Sequence, residues 1–263
     1  YSHIAPHYDQ TRGADNPIHA RTADYIYERY VDSGKIVLDL GAGTGITGFH
    51  LAKKGIPYIA GDASAEMLSV FKKAADRAGL DNATFLVMNA VNVPLPDDSV
   101  DVVMTRAVFH HIKDYRQVIS EIRRVLRPRG RLLSIEAGSK SPGTDYITEV
   151  WDKYEEILVK YGRKLLPTVG PEYEELHSYI ESYGGSITEP QQWFCSNHSP
   201  DLNPILRILS NLALPHLRDI DPETNRKVMA ELNSYMKDKY GTDYASLKTE
   251  KEDKQGVYVI SFD

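Results

Sequence analysis

Cysteine is almost missing from this chain: Cys195 is the one thiol among 263 residues. An intramolecular disulfide and a cysteine-built zinc site are thereby excluded, and a reducing compartment, the cytoplasm, is expected. Long apolar runs are missing too; none approaches the roughly 18 residues that a membrane-spanning helix needs. Nor is there an excess of basic charge. Lys and Arg number 31 against 37 Asp and Glu, for a net charge of −6. A duplex-DNA binder would show a basic face, so nucleic acid is not an expected partner. No charged-then-apolar leader is visible, and an opening at Tyr1 without Met is what a sequence lacking its true N-terminus would show. Phenylalanine and tryptophan are sparse, so 17 of the 25 aromatics are tyrosine. The remaining composition, 41% hydrophobic and 26% charged, is ordinary for a globular protein. The length suits one domain with an addition.

Apolar, β-branched runs alternate with helical patterns over the first half. Residues 35–40, 57–61, 83–88, 99–105 and 131–136 read as strands. Residues 45–54, 64–78 and 114–126 read as helices, closed by Gly55, by Gly79 and by Arg127-Pro128-Arg129-Gly130. Alternation at this spacing implies βαβ units, right-handed crossovers and a mostly parallel sheet. The alternation then breaks. Residues 141–184 and 202–240 carry helical periodicity, 186–195 reads as a strand, and 246–255 reads as a solvated charged loop. The last run, 256–262, alternates in the manner of a strand with an antiparallel neighbour. The expectation is an α/β, doubly wound sheet of seven strands with an antiparallel last strand. Its sandwich would comprise 1–140 and 253–263. A helical lid over 141–252 would include the strand near 186–195.

Asp39-Leu40-Gly41-Ala42-Gly43-Thr44-Gly45 follows the first strand and opens a helix. Glycine there permits positive φ and close approach of a ligand to the backbone. A glycine turn also serves nicotinamide and flavin enzymes, but their Gly-x-Gly-x-x-Gly form would want a small residue at Ile46. Asp39, two residues before Gly41, would repel a pyrophosphate and suits a ligand carrying an ammonium and a sulfonium. Asp62 closes the second strand, where a carboxylate can accept from both hydroxyls of a ribose. Asp62 and Ser64 also suit a helix N-cap.

With these residues in place, Val37 to Gly45 resembles motif I of the class I S-adenosylmethionine-dependent methyltransferases, of the small-molecule, type 11-like kind. Four further segments resemble that family in the same order: Gly61-Asp62-Ala63-Ser64 with Met67-Leu68; Asn89-Ala90 with Pro94 to Asp101; Val108-Phe109-His110-His111-Ile112; and Arg124 to Arg131. Together they cover roughly residues 35–137. The resemblance implies a Rossmann-like fold and S-adenosyl-L-methionine as cofactor. It implies cofactor contacts from Asp39, Gly41, Ala42, Gly43, Gly45, Asp62, Ala63, Met67, Asn89 and Ala90. Asn89 stands where the family usually has Asp, yet its amide oxygen can still accept from an adenine amino group. Arg129 replaces a glycine, which is harmless unless the position needs positive φ. Ile4 to Arg12 resembles the opening of small-molecule members, in which Tyr8 and Arg12 would cover the cofactor's methionine end. The plainer alternative is a cap on the sheet edge.

Arg106 ends the fourth strand and would face the cofactor, the substrate or solvent. His110, His111 and Glu136 lie at the same edge and are candidate catalytic groups, histidine being the commonest general base near neutrality. Nothing in their spacing requires a metal. Methyl transfer from a sulfonium is an in-line displacement, so alignment and exclusion of water dominate, and a base is needed only for an acceptor that loses a proton. The expected partner is a small-molecule acceptor beneath the lid, among Tyr146, Trp151, Tyr154, Tyr161, Trp193 and Phe194 or against the lid's own core formed by them. A tRNA or protein methyltransferase and a non-catalytic cofactor-binding protein are the alternatives. Oligomeric state is left open.

Overall fold

A computed structural model describes residues 15–262 apart from 33, 142 and 168. Tyr8 and Arg12 therefore lie outside the described residues. The chain enters through α1 (Ile18–Tyr30) and then lays down β1 (Val37–Leu40), α2 (Gly48–Ala52), β2 (Tyr58–Asp62), α3 (Ala65–Arg77), β3 (Ala83–Val87) and β4 (Val100–Arg106). A 3-10 turn (Phe109–His111), α4 (Tyr115–Val125) and β5 (Leu126–Lys140) follow. Next come α5 (Tyr146–Lys160), α6 (Tyr173–Ser182), β6 (Ser186–Thr188), β7 (Trp193–His198), α7 (Asn203–Ser210), α8 (Pro222–Tyr240) and β8 (Lys251–Ser261).

The strands form one sheet in the order β3-β2-β1-β4-β5-β8-β6, with β7 also on β8. The pairs from β3 through β5 are parallel, and β8 runs antiparallel to β5, β6 and β7. Strand order reverses between β1 and β4, where an open α/β sheet leaves a crevice at its carboxyl ends. Leu40, Asp62 and Arg106 close their strands at that edge.

Each face of the sheet is buried by a separate apolar cluster. Ile18, Ile26, Leu51 and Phe71 from α1, α2 and α3 pack with Met104, Ile135 and Val257 on one side. Val118, Ile122, Leu176 and Ile180 from α4 and α6 pack with Val103, Leu132 and Ile260 on the other. A third cluster, built on Val150, Tyr154, Leu209, Val228 and Leu232, joins α5, α7 and α8 into the lid. The helix α6, anticipated within the lid, thus covers the sheet; Tyr179 meets Tyr115 of α4 edge to face at 5.5 Å.

The sheet has eight strands, one more than expected. The run 186–195 divides into β6 and β7 around Glu189-Pro190, since proline offers no ladder N–H. Both pieces pair along the same edge of β8. β8 also begins earlier than its apolar run. Residues 251–255, expected in a charged loop, are held between β5 and β7. Inside that stretch Gln255 is buried and its Oε1 accepts from Thr22 Oγ1.

β5 begins earlier too, at Leu126, and absorbs the anticipated turn as a register shift: Val100 faces Leu126 while Val102 faces Arg131. Arg129 sits there at φ 67°, so the position does demand the left-handed conformation, which costs a side-chain-bearing residue about 1–2 kcal/mol. Its neighbour Gly130 has no room for a side chain: a Cβ would lie 2.8 Å from the Arg127 carbonyl oxygen and 3.0 Å from that of Asp101. Two adjacent substitutions should therefore act with opposite sign. Arg129→Gly should raise stability by about 0.5 kcal/mol, part of the relief being offset by glycine's unfolded-state entropy. Gly130→Ala should lower it by about 1–3 kcal/mol. Urea denaturation of both variants tests this; equal shifts would remove the backbone explanation.

Candidate active site

The site begins with the glycine loop between β1 and α2. Gly41 and Gly43 adopt φ 80° and 56°. At Gly41 a Cβ would strike Val108 at 2.5 Å, whereas the space over Gly43 is open. The amides of Gly41 and Ala42 both donate to the Gly61 carbonyl, at 2.8 and 3.0 Å, which ties the loop to β2. Gly45 is the third glycine expected at the cofactor. Its φ is 82°, and its missing Cβ makes room for the Phe71 ring of α3, 2.5 Å from where that atom would be. Helix packing therefore requires glycine here as well.

Asp62 holds two backbone amides at once. Oδ2 accepts from Gly43 N and Oδ1 from Ser64 N, each at 2.8 Å. Ser64 in turn caps α3 by accepting from Met67 N. The α3 N-cap is Ser64, and Asp62 supports it from two residues before; a carboxylate has about four acceptor positions, of which the amides use two.

The crevice opens into a cavity of about 420 Å³. Gly41, Gly43, Asp62, Ala63, Met67, Asn89, Ala90 and Arg106 line it, all of them singled out in the sequence. Sequence reasoning missed Met88, Val91 and Lys113 in the same wall, and quoted Val108 and Ile112 only as part of a segment and not as site residues. The signal of the missed three was position alone, just past the ends of β3 and β4. Asn89 Oδ1 accepts from Val91 N at 3.2 Å, so the side chain is fixed by its own turn at the cavity's edge. Ala107, at φ 53°, turns the chain sharply after β4, so that Arg106 and Val108 both reach the wall.

A smaller recess of about 40 Å³ continues from the glycine loop past Asp39, Ala42, Thr44 and Arg106. Asp39 is buried, and its Oδ2 accepts from the Tyr58 hydroxyl at 2.6 Å. Burial, reinforced by the charge of Asp62, pushes the Asp39 carboxyl up to about 7 against the pull of the Tyr58 hydrogen bond and the Arg106 charge. The hydroxyl of Thr44 is buried with no partner among the described residues. A buried acid, an idle hydroxyl and the open space over Gly43 together fit the cationic, polar methionine end of S-adenosylmethionine.

A second cavity, of about 640 Å³, lies between the strand edge and the lid. Arg106 and His111 line both large cavities, while His110 lines the second. The two histidine rings lie 3.8 Å apart. Glu136 lines neither. It accepts from Ser134 Oγ at 2.9 Å, and burial raises its carboxyl against the pulls of that bond and of Arg106. Its place is in the sheet, opposite Gly256.

Of the aromatics anticipated beneath the lid, Trp151 alone lines this cavity. Tyr154 is fully buried in the lid core and donates to Asn225, Tyr146 packs edge to face on Tyr240, and Tyr161 donates to Glu231. Trp193 packs on Tyr258 and Phe194 on Tyr25.

A doubly wound sheet carries a glycine-lined crevice, with an acid ending β2 and a polar residue after β3. Residues 38–134 match the family described as a methyltransferase domain. Over 100 residues it is 37% identical to the uncharacterized methyltransferase YcgJ of Bacillus subtilis, covering 38% of this chain and 40% of that one. Over 143 residues it is 33% identical to a demethylmenaquinone methyltransferase of Thermus thermophilus, covering 52% and 63%. The matched segments thus span less than two thirds of these relatives. The crystal structure of YcgJ has the same fold, with a TM-score of 0.58 at 19% identity, over 92% of this chain and 99% of that one.

The raised carboxyl of Asp39 has a measurable consequence. The unfolded value is about 3.9, so between about pH 4 and pH 7 the folded, ligand-free chain binds more protons there than the unfolded chain. Stability from this group is present below the window and is lost as pH rises through it. Urea midpoints measured from pH 4.5 to 7.5 should show this downward slope in Asp39, and Asp39→Asn should flatten it. Identical slopes in both proteins would refute the assignment.

Proposed function

We propose that this chain transfers a methyl group from S-adenosyl-L-methionine to a small-molecule acceptor held beneath the lid. The observation that carries the reading is the meeting of the two large cavities at Arg106 and His111. Both volumes fall in the range of small-molecule sites. Relatives named demethylmenaquinone methyltransferases support a small acceptor.

When bound, the cofactor supplies an electrophilic methyl group on a sulfonium. The protein's own residues do the rest. Asp62 accepts from the ribose hydroxyls with the lone pairs its two amides leave over. Met67 and Ala90 flank the adenine and Asn89 holds its edge. Asp39, the Thr44 hydroxyl and Arg106 hold the methionine end. The lid keeps water out and fixes the acceptor in line, the alignment being the main source of rate. For an acceptor that loses a proton on attack, His110 or His111 takes it; an already anionic acceptor needs placement only. Glu136 acts by holding Arg106 electrostatically, at one remove from the reacting atoms.

Losing a charged hydrogen-bond acceptor of the ribose costs about 1.5–3 kcal/mol, so Asp62→Ala should weaken S-adenosylmethionine binding by at least about tenfold. Calorimetric titration returning an unchanged affinity would sink the ribose assignment. Methyl transfer is tested with methyl-labelled cofactor and a panel of small phenols, enols, amines and carboxylates. Label carried by bulk tRNA or protein, and by no small molecule, would overturn the small-molecule reading.

A further inference from the structure

The two sides of the lid cavity differ in what they leave uncovered. On the strand side the polar groups already have partners in the protein. Gln255 accepts from Thr22 at 3.0 Å, and its amide nitrogen lies 3.1 Å from His19 Nδ1. Asp253 Oδ2 accepts from Asn16 at 3.1 Å and lies 3.6 Å from His198 Nε2. Asp201 Oδ1 accepts from the Asn203 amide at 2.9 Å, and Lys254 pairs with Glu252 at 3.1 Å. Lys251 acts on the carboxyl of Asp145, and Arg106 on those of Asp39 and Glu136, in each case pulling the carboxyl down. Charge on this side is met within the fold.

The lid side is apolar. Ile147 and Trp151, one turn apart on α5, line the cavity with Ile205 and Ile208, one turn apart on α7, and with Leu214. Behind them Val150, Tyr154, Leu158 and Leu209 are fully buried in the lid's own core. Ile147, Trp151 and Leu214 are only half-buried: they pack on that core from one side and face the cavity on the other. Apolar surface turned to a space of about 640 Å³ gains free energy when an apolar body covers it, in proportion to the area removed from water. The Trp151 indole stands edge to face with the His216 ring at 6.0 Å, so the apolar side carries an aromatic ring at its border with the histidines.

We infer that the acceptor is an apolar, ring-sized molecule with one polar, methyl-accepting group at its end. Its body lies on Ile147, Trp151, Ile205 and Ile208, and its accepting atom reaches the strand edge at Arg106 and His111, where the two large cavities meet. Trp151 is the specificity-determining residue, since an indole offers a ring both a large apolar area and a preferred packing geometry. This rests on the methyl-transfer reading of the same cavity and narrows its substrate class, away from compact polar acceptors such as amino acids and amino alcohols.

The chain's other tryptophan, Trp193, packs on Tyr258, so Trp193→Phe leaves Trp151 as the sole indole reporter. 2-Naphthol, phenol, ethanolamine and glycine are titrated into this variant, with and without S-adenosylhomocysteine. 2-Naphthol should change the Trp151 emission and bind about tenfold or more tighter than phenol, because its second ring adds apolar area. Ethanolamine and glycine should not compete with it at millimolar concentration. Its affinity should hold within about twofold between about 0.05 and 0.5 M salt, since screening weakens ionic contacts and not apolar ones. In the unaltered background, calorimetry should show 2-naphthol weakened about tenfold by Trp151→Ala and several-fold by the milder Ile147→Gln, with S-adenosylhomocysteine affinity unchanged and the fold intact by circular dichroism. If Trp151→Ala does not fold, Ile147→Gln decides alone. Phenol binding as well as 2-naphthol, ethanolamine or glycine binding better than either, no binding of any probe, or an affinity indifferent to the substitutions would each overturn the inference. Failure to bind S-adenosylhomocysteine, with the 2-naphthol preference intact, would instead remove the methyl-transfer reading and leave the apolar-selective cavity standing.

Discussion

One carboxylate organises the crevice. Asp62 ends β2 and spends one oxygen on the Gly43 amide and the other on Ser64. The glycine loop, the end of β2 and the first turn of α3 are thereby joined through a single side chain. The loop's left-handed residues then have only one place to go, and the amides of Gly41 and Ala42 complete the join on the Gly61 carbonyl. The cavity's open side, its glycine floor and its acid are consequences of that join. So is its charge balance: Asp62 helps to keep Asp39 protonated in the ligand-free chain, and Arg106 opposes it from the next strand.

Around this fixed centre the lid is built by different means. It has its own apolar cluster, and its tyrosines serve as anchors rather than as a cavity lining. Glu149 of α5 accepts from the hydroxyls of Tyr235 and Tyr240 and from Lys239, all on α8. Tyr154 and Tyr244 donate to Asn225 and Asn233 of the same helix. A tyrosine contributes an apolar ring and a polar tip, which suits a small helical layer too thin to bury many groups completely. The tyrosine excess therefore reports on how the lid holds together. The second cavity is lined by histidines from α1, the 3-10 turn after β4, β7 and the lid.

The sandwich was legible in the sequence because its signals are local. Strand runs, helix stops and the glycine loop lie within short windows, and side chains that must meet at one sheet edge all follow strand ends. The misses came from the opposite situation. Pro190 divided a strand that looked continuous, and β8 took in charged residues because β5 and β7 supplied partners on both sides. Gly45 read as a ligand glycine, and a second reason for glycine there, the Phe71 ring of the helix after β2, shows only in the fold. Glu136 shared a sheet edge with the histidines but not a cavity with them.

By itself the sequence determined the fold class, the crevice at the strand ends and most of the residues around it, since glycine at positive φ, an acid at a strand end and βαβ spacing each act through neighbours along the chain. Only the tertiary structure decided which of the anticipated groups share a space. His19, His198 and His216 are separated from His110 and His111 by scores of residues, and no periodicity links them. Their convergence depends on where the lid docks over the strand ends, a matter of long-range packing that no local pattern encodes.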